Sequence, residues 1–537
     1  MPYVKVFVKL FFGILLLSFS CVSSGDVTSK KQFSEIKILA SDAKAYNQLG
    51  YSVSISADGG RVIAGALRSA YIYTKSGTTW NEMKVTASDG ESYNDFGTSV
   101  SISADGTTAI VGARYDNTKG SKSGAVYIYE KLGKTWSETK LIASDAMTHN
   151  YFGTCVSISG DGTTVIVGAN GGDGENKGSG LAYIYTKSGK TWRETKLTAS
   201  DGKISEYFGY SLSISADGTT AIVGALLDDD YGLKSGSVYI YEKSGKDWIE
   251  TKLRASDGTT DDWFGHSVSI SADGTTVIVG ALNDGDKGSK SGSVYIYEKS
   301  GKDWFETKLT ASDGMAGDKF GYSVSISANG NKVIVGAHDA SANALKSGSS
   351  YIYTKSEAGW IETKVIASDG ARYDNFGNSV SISRDATIAI VGAYNDSDKD
   401  LRNGSIYILG LSGKSDSTTT SKSSDIAKEE NKQGAEAGKR GDYDKAIKYY
   451  KSALEVTLSL LGESHMGTAT VYNNIGFQYS NKADYDEAII YYRKALKIIL
   501  ATKEKESSYL VTVYKNISFA HQQNREYEKA VDYIEKL

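Results

Sequence analysis

Apolar and polar residues alternate one for one through Ser267–Ser271, where Val268 and Ile270 stand between serines. A period of two places successive side chains on opposite faces of an extended strand. Ala272-Asp273-Gly274 then reads as a tight turn, with Gly free to take positive φ. Val277–Val279 is apolar at every position, which predicts a strand buried on both faces. A polar loop opens at Gly280-Ala281 and runs to Gly292. Val294–Tyr297 is β-branched and aromatic, as strands prefer. Ser300-Gly301-Lys302 turns it into a fourth strand, Trp304–Leu309, and Ala311-Ser312-Asp313-Gly314 leads onward.

This four-strand unit recurs with a period of 56 residues, marked by Phe-Gly at Phe96, Phe152, Phe208, Phe264, Phe320 and Phe376. Leu49-Gly50 is a degenerate copy 47 residues before the first of them. A fixed period of this length is the signature of a repeat architecture. Four antiparallel strands per unit, seven times over, predict a β-propeller. The two ends of the array complement each other. The last copy supplies Ser379–Ser383, Ile388–Val391 and Ser405–Leu409 but no fourth strand, while Phe33–Leu39 matches the missing one. The early strand is expected to complete the seventh blade and clasp the ring, leaving no open sheet edge between first and last blades. The propeller is placed at residues 33–411.

After Leu411 the pattern changes. Residues 412–423 carry no large apolar side chain and read as a flexible Ser/Thr linker. From Ser424 onward the period becomes helical. Asp442–Leu454 recurs as Asp484–Leu496 and again as Glu526–Leu537, 42 residues apart each time. Ala488, Tyr491, Tyr492, Ala495 and Leu496 form one apolar stripe. Asp484 with Glu487 makes a helix N-cap and capping box. The last copy stops four or five residues short of the others, which is expected to reflect either truncation or an end that packs on a partner.

The long repeats resemble FG-GAP repeats, as in the integrin α-chain propeller and many exported bacterial proteins. The residues that carry the likeness are Phe-Gly, the following Ser-Val or Ser-Leu, the Asp-Gly turn and Ile-Val-Gly-Ala. The resemblance implies an extracellular propeller used in adhesion or ligand binding. In the integrin version the first turn is an enlarged calcium loop, whereas Ser271–Thr276 is shorter and keeps one carboxylate. Calcium wants six to eight oxygens, so that site is not carried over and no cofactor is expected. The helical repeats are similar to tetratricopeptide repeats, and Leu461–His465 with Asn473-Asn474-Ile475-Gly476 resembles the kinesin-light-chain type. In that family the motif Asn bonds the backbone of a bound peptide. The matching positions are Asn474 and Asn516, with Lys432 in the first repeat.

The net charge of −4 gives no global basicity for nucleic acid. Two cysteines, Cys21 and Cys155, cannot build a disulfide framework. Cys155 replaces the serine of other copies (Ser99, Ser211, Ser267) and reads as a small packed residue. Residues 1–24 carry Lys5 and Lys9, an uncharged apolar run Leu10–Phe19 and then small residues, the pattern of a secretory leader. An exported protein is expected: extracellular, cell-surface or periplasmic. Cys21 offers a lipidation site, the one expected route to a membrane, although Leu17 and Phe19 fit a lipobox poorly.

No catalytic constellation emerges. The five histidines have no zinc-ligand spacing. Gly-Lys-Thr at Gly133 and Gly189 lacks the glycine a phosphate loop needs five residues earlier. Most tyrosines belong to the recurring Tyr-Ile-Tyr strand and read as blade packing. Variation between copies is concentrated in two loops on one face of the disc, and these loops are acidic. Asp228, Asp229 and Asp230, Asp284 and Asp286, and Asp396, Asp398 and Asp400 are therefore the candidate ligand contacts. The last three are also the one grouping offered for a divalent cation. The function expected is a non-catalytic binding, adhesion or interaction scaffold for protein, peptide or cell-surface ligands. The alternatives are a carbohydrate-active propeller enzyme, which would need carboxylates converging on the channel, and an intracellular tetratricopeptide scaffold.

Overall fold

The computed structural model describes residues 33–90, 94–133, 135–174, 176–356, 359–411, 429–461, 466–501 and 508–534. The expected leader with Cys21 and the 412–423 linker lie outside these residues. From Ser34 to Gly410 the chain forms seven four-stranded antiparallel sheets. Blade 5 is typical: Phe264–Ile270, Thr276–Ala281, Ser293–Ser300 and Asp303–Leu309. Its second strand is buried throughout, as the unbroken apolar run predicts. The clasp is present. Ser34–Ile38 pairs antiparallel with Ser405–Gly410, from Ser34 opposite Gly410 to Ile38 opposite Ile406, and supplies the outer strand of blade 7. The first strands of consecutive blades lie against one another around the axis, blade 7 against blade 1 included.

Phe-Gly sits in a β-bulge. In blades 2, 4 and 5 the register with the second strand shifts between the Phe and the Ser three residues on. The bulge needs a glycine: Gly265 has φ +89°, and a Cβ there would lie 2.6 Å from the Ser237 carbonyl oxygen. Phe264 is fully buried, its ring edge-on to Tyr295 at 5.3 Å and to Tyr297 at 6.1 Å. The core lies between sheets. Ile278, Val294 and Ile296 of blade 5 pack with Phe320, Val333 and Tyr351 of blade 6.

Three further devices join neighbouring blades, all three seen where blade 4 meets blade 5. The backbone NH groups of Asp261, Trp263 and Phe264 donate to the carbonyls of Leu233, Lys234 and Ser235 at 2.8, 3.2 and 2.9 Å. The Tyr295 hydroxyl and the Lys308 ammonium both donate to Asp257, at 2.8 and 2.6 Å. Ser256 donates its hydroxyl to Glu306 at 2.6 Å, and Glu306 also accepts from Tyr297 at 2.7 Å. The tyrosine–aspartate bond recurs at all seven junctions, from Tyr71–Asp42 to Tyr407–Asp369. Ala-Ser-Asp and Trp-x-Glu-Thr-Lys are thus two halves of one inter-blade contact. At the lower end each turn donates to the next: Ala104 to Gly160, Gly160 to Ala216 and Ala216 to Ala272, at 2.8–3.0 Å. Cys155 packs on the core between blades 3 and 4, and burial pushes its thiol up to about 11.

The described C-terminal residues form six helices: α1 (429–439), α2 (Tyr443–Leu461), α3 (Met466–Asn481), α4 (Tyr485–Ala501), α5 (Ser508–Gln523) and α6 (Tyr527–Ile534). They pack as pairs with small residues under large ones. A Cβ on Gly476 of α3 would lie 2.8 Å from the Tyr492 ring of α4, and Gly434 sits under Tyr450 in the same way at 3.0 Å. Asp442 and Asp484 cap α2 and α4, accepting from the backbone NH of Lys445 and Glu487 at 3.3 and 3.4 Å.

The close approach between blades sets a prediction. A Cβ at Gly280 would fall 2.1 Å from the Gly321 carbonyl oxygen of the next blade, whereas one at Gly301 meets nothing within 4 Å. Gly280→Ala is expected to cost about 2–4 kcal/mol in urea unfolding. Gly301→Ala is expected to cost about 1 kcal/mol, the penalty for a left-handed conformation alone. Equal costs would show that the inter-blade contact carries no special weight.

Candidate functional site

Blades that agree almost residue for residue part company at one level. The position directly after each Phe-Gly, and its copy after Leu49-Gly50, holds Tyr51, Thr98, Thr154, Tyr210, His266, Tyr322 and Asn378 in turn. The position after each second-strand Gly-Ala holds Leu67, Arg114, Asn170, Leu226, Leu282, His338 and Tyr394. The bulge carries the first set to the upper mouth of the channel, where they meet across blades. His266 lies 5.4 Å from the Tyr210 ring and 5.0 Å from the Tyr322 ring, with Trp263 stacked behind it at 6.5 Å. Tyr322 continues the chain of rings to His338 at 3.8 Å. Tyr51 meets Tyr394 edge-on at 5.7 Å, and the Asn378 amide of blade 7 donates to the Tyr51 carbonyl of blade 1 at 3.0 Å.

The four tyrosines are half-buried, while His266 and His338 are 9% and 6% exposed. Burial, with the neighbouring His338 adding to it, pushes His266 down to about 3. Burial lowers His338 as well, against the Asp339 carboxylate beside it. Both imidazoles are therefore neutral near pH 7. Neither Nδ1 has a hydrogen-bond partner. The charged groups nearby are already paired: Arg114 with Asp95 at 3.1 Å, and Asp339 with Lys319 and Lys346 at 2.9 and 3.3 Å. Lower down, the channel wall is a ring of isoleucines from Ile55 to Ile382, with Ala, Gly and Arg384 at the turns. Asp161, Asp217 and Asp273 line the cavity at those turns, each already accepting from the serine hydroxyl of its own turn.

The acidic loops have a different geometry. Asp228, Asp284 and Asp396 are buried at 0, 3 and 1% exposure and accept from the hydroxyls of Tyr239, Tyr295 and Tyr407. Each loop also closes on a lysine from the outer strand. Lys308 lies 2.6, 2.9 and 2.6 Å from Asp257, Asp284 and Asp286. Lys252 lies 2.7, 2.7 and 2.5 Å from Asp201, Asp228 and Asp230. Lys37 pairs with Asp369, Asp396 and Asp398. Against burial, Lys203, Lys252 and Arg254 hold Asp230 well below the usual carboxylate range. Asp400 accepts from the backbone NH of Ala45, and Asp229 from that of Lys234. Asp229, Asp286, Asp398 and Asp400 stay exposed. An ammonium thus stands among the three carboxylates that come closest to a metal-ligand grouping, Asp257, Asp284 and Asp286.

In the helical repeats, Asn474 and Asn516 occupy the same position of α3 and α5 and are half-buried. Asn516 donates to Asn473 rather than Asn474, at 3.0 Å. Phe477 and Phe519 follow one turn later, each 49% exposed. The channel-mouth residues escaped the reading of the sequence because they do not recur. Their signal was a variable column directly after the least variable one.

These features define a seven-bladed β-propeller joined to a helical repeat array. The model of the FG-GAP repeat family matches residues 80–129, 136–185, 192–241, 248–297, 304–353 and 360–409, and the chain belongs to that family. The tetratricopeptide repeat model matches 434–501 and 468–537. Among solved structures, the RRP9 WD40 repeats are similar at 11% identity and a TM-score of 0.47, over 70% of this chain and 97% of that one. The Cps50 (Swd1) β-propeller domain of Myceliophteria thermophila is similar at 9% identity and a TM-score of 0.46, over 70% and 100%. BtubC (BKLC) from P. vanneervenii is similar at 26% identity and a TM-score of 0.20, over 21% and 44%. Comparison with curated protein sequences returns no match.

Two predictions follow from the upper loops. Burial, with Asp396 adding to it, raises Asp374 to about 6, although its carboxylate accepts from the Ala371 NH at 2.6 Å. A folded-state value above the unfolded one means that protonation favours folding, and that this contribution is lost as pH rises through 6. Asn94 and Asn150 fill the same position in blades 2 and 3. Asp374→Asn is therefore expected to raise Tm at pH 7.5, by on the order of 2 kcal/mol in stability, with the gain vanishing between pH 6 and 4. A pH-independent gain would refute the assignment. Calorimetric melting in calcium and in chelator is expected to agree within about 2 °C, since a tightly held ion would add about 4 kcal/mol.

Proposed function

We propose that this chain is an exported, non-catalytic protein-interaction scaffold with two binding regions. The first is the upper mouth of the propeller channel with the exposed acids around it, Asp229, Asp286, Asp398 and Asp400. The second is the face of α3 and α5 that carries Asn474 and Asn516. The observation that carries this reading is the channel mouth. Seven near-identical blades diverge where their side chains meet, and they place aromatic rings and two buried, unpartnered imidazole nitrogens there. Both repeat families are those of interaction scaffolds and are typically non-catalytic, which favours binding over chemistry. The apolar run Leu10–Phe19 supports export, and Cys21 offers one way to stay at a cell surface. No described helix is long and apolar enough to cross a membrane.

The test is photo-crosslinking of the full chain in the cells that make it. The wild type is compared with Tyr210→Thr/Tyr322→Thr at the channel mouth and with Asn474→Ala/Asn516→Ala in the helices. Each double variant is expected to melt like the wild type and to lose its own subset of crosslinked partners. Unchanged crosslinks in both would overturn the scaffold reading. Mass spectrometry of the mature N-terminus checks export: cleavage near residues 20–24 is expected, and an intact Met1 would refute it.

A further inference from the structure

We infer that a cleft on the upper face, above blade 3, is a peptide site that takes an apolar side chain flanked by carboxylates. It lies between loops of blades 2, 3 and 4 rather than at the channel mouth, so it stands or falls independently of the mouth.

The cleft has a volume of about 700 Å³, within the range of ligand sites, about 300–1,000 Å³. Its walls are apolar. Met147 and Ile204 are 53% and 69% exposed. Blades 5, 6 and 7 have Thr260, Ala316 and Arg372 where Ile204 stands. Its rim is basic. Lys119 and Lys177 both line it, and among the described residues neither ammonium meets a carboxylate. The one carboxylate in the lining, Asp173, is engaged by its own loop and accepts from the Gly178 backbone NH at 2.8 Å.

The deciding group is Asn150, which lines the cleft and is 4% exposed. Its counterparts in other blades fasten their own loops. Asp262, Asp318 and Asp374 accept from the backbone NH of Thr259, Met315 and Ala371 at 2.5, 2.9 and 2.6 Å. Asn94 accepts from the Phe96 NH at 3.1 Å. Among the described residues the Asn150 side chain has no such bond, and its amide is not sealed from solvent as Asn94 Nδ2 is. Native structures bond nearly all buried polar side chains, so this amide is available to whatever fills the cleft. It offers a carbonyl and an NH₂ together, the complement of a backbone peptide group. A peptide meets all three features at once. Its backbone bonds Asn150, its apolar side chain enters between Met147 and Ile204, and the flanking carboxylates reach Lys119 and Lys177. A small anion would leave the apolar walls uncovered, and a neutral ligand would leave both ammonium groups unpaired.

The chain has five methionines, which makes the cleft directly observable by NMR. The full chain is isotopically labelled at its methionine methyl groups, and Met147→Leu identifies the Met147 signal. The probe is acetyl-Gly-Asp-Leu-Asp-Gly-amide, compared with versions carrying Lys for Asp or Ser for Leu, and with inorganic phosphate. The Asp-Leu-Asp peptide is expected to shift Met147 saturably and to leave Met83, Met315 and Met466 in place. Met315 holds the equivalent loop position in blade 6, where Asp318 is already bonded. The Ser version should bind at least about tenfold more weakly, the equivalent of about 1.4 kcal/mol, and the Lys version should not bind. Asn150→Asp gives blade 3 the residue that blades 5, 6 and 7 carry, and Lys119→Ser/Lys177→Ser changes only exposed side chains. Each should weaken binding at least about tenfold with the Met83 and Met466 signals unmoved. An unmoved Met147, an equal shift at Met315, equal binding of the Lys version, the same shift with phosphate alone, or full binding by both variants would overturn the inference.

Discussion

The propeller depends on the junction between neighbouring blades. No four-stranded sheet here can bury its own faces, so its stability comes from the sheets on either side. At each junction an Ala-Ser-Asp turn leaving one blade is gripped by the tyrosine, glutamate and lysine of the next. A short backbone zipper forms above that grip. It forces bulky residues such as Trp263, at φ +59°, and Asp261, at φ +66°, into the left-handed region. Each such residue costs about 1–2 kcal/mol, and the inter-blade hydrogen bonds offset it. Seven junctions must close into a ring, and a strand from the far N-terminal end completes the last blade.

That requirement explains how the chain distributes constancy and variation. Serine, glutamate, lysine and the first tyrosine are repeated because each answers a partner in the neighbouring blade, 38 to 51 residues away where blade 4 meets blade 5. The side chain after Phe-Gly has no partner common to all seven blades, and there the copies are free to differ. A rigid frame with a variable inner rim can change its ligand without changing its fold. The acidic loops carry two loads together. Their innermost aspartates hold lysines and tyrosines at the junction, and their outer aspartates remain in solvent.

Much of this was legible in the chain. The two-residue alternation of Ser267–Ser271, the apolar run Val277–Val279 and the 56-residue period led to blades. The missing fourth strand after Leu409 led to the clasp at Phe33–Leu39. The 42-residue period led to paired helices with Asp484 as a cap. These are local or periodic signals, and each repeat is a further reading of the same message. The partners of Asp284 were not legible, because nothing in the local sequence says that Lys308 and Tyr295 will meet it. Nor did the sequence show that Asn516 bonds Asn473.

The sequence alone therefore determined the kind of element, the number of blades and the way the ring closes, because strand period, turn glycines and repeat length are carried by neighbouring residues. Only the tertiary structure decided which residues form a site. Tyr51, Tyr210, His266, Tyr322, His338 and Tyr394 are spread over more than 340 residues of chain. They share no spacing with one another beyond the repeat itself. They become neighbours because ring closure brings the same level of every blade to one axis, and proximity around an axis is written in no single stretch of the chain.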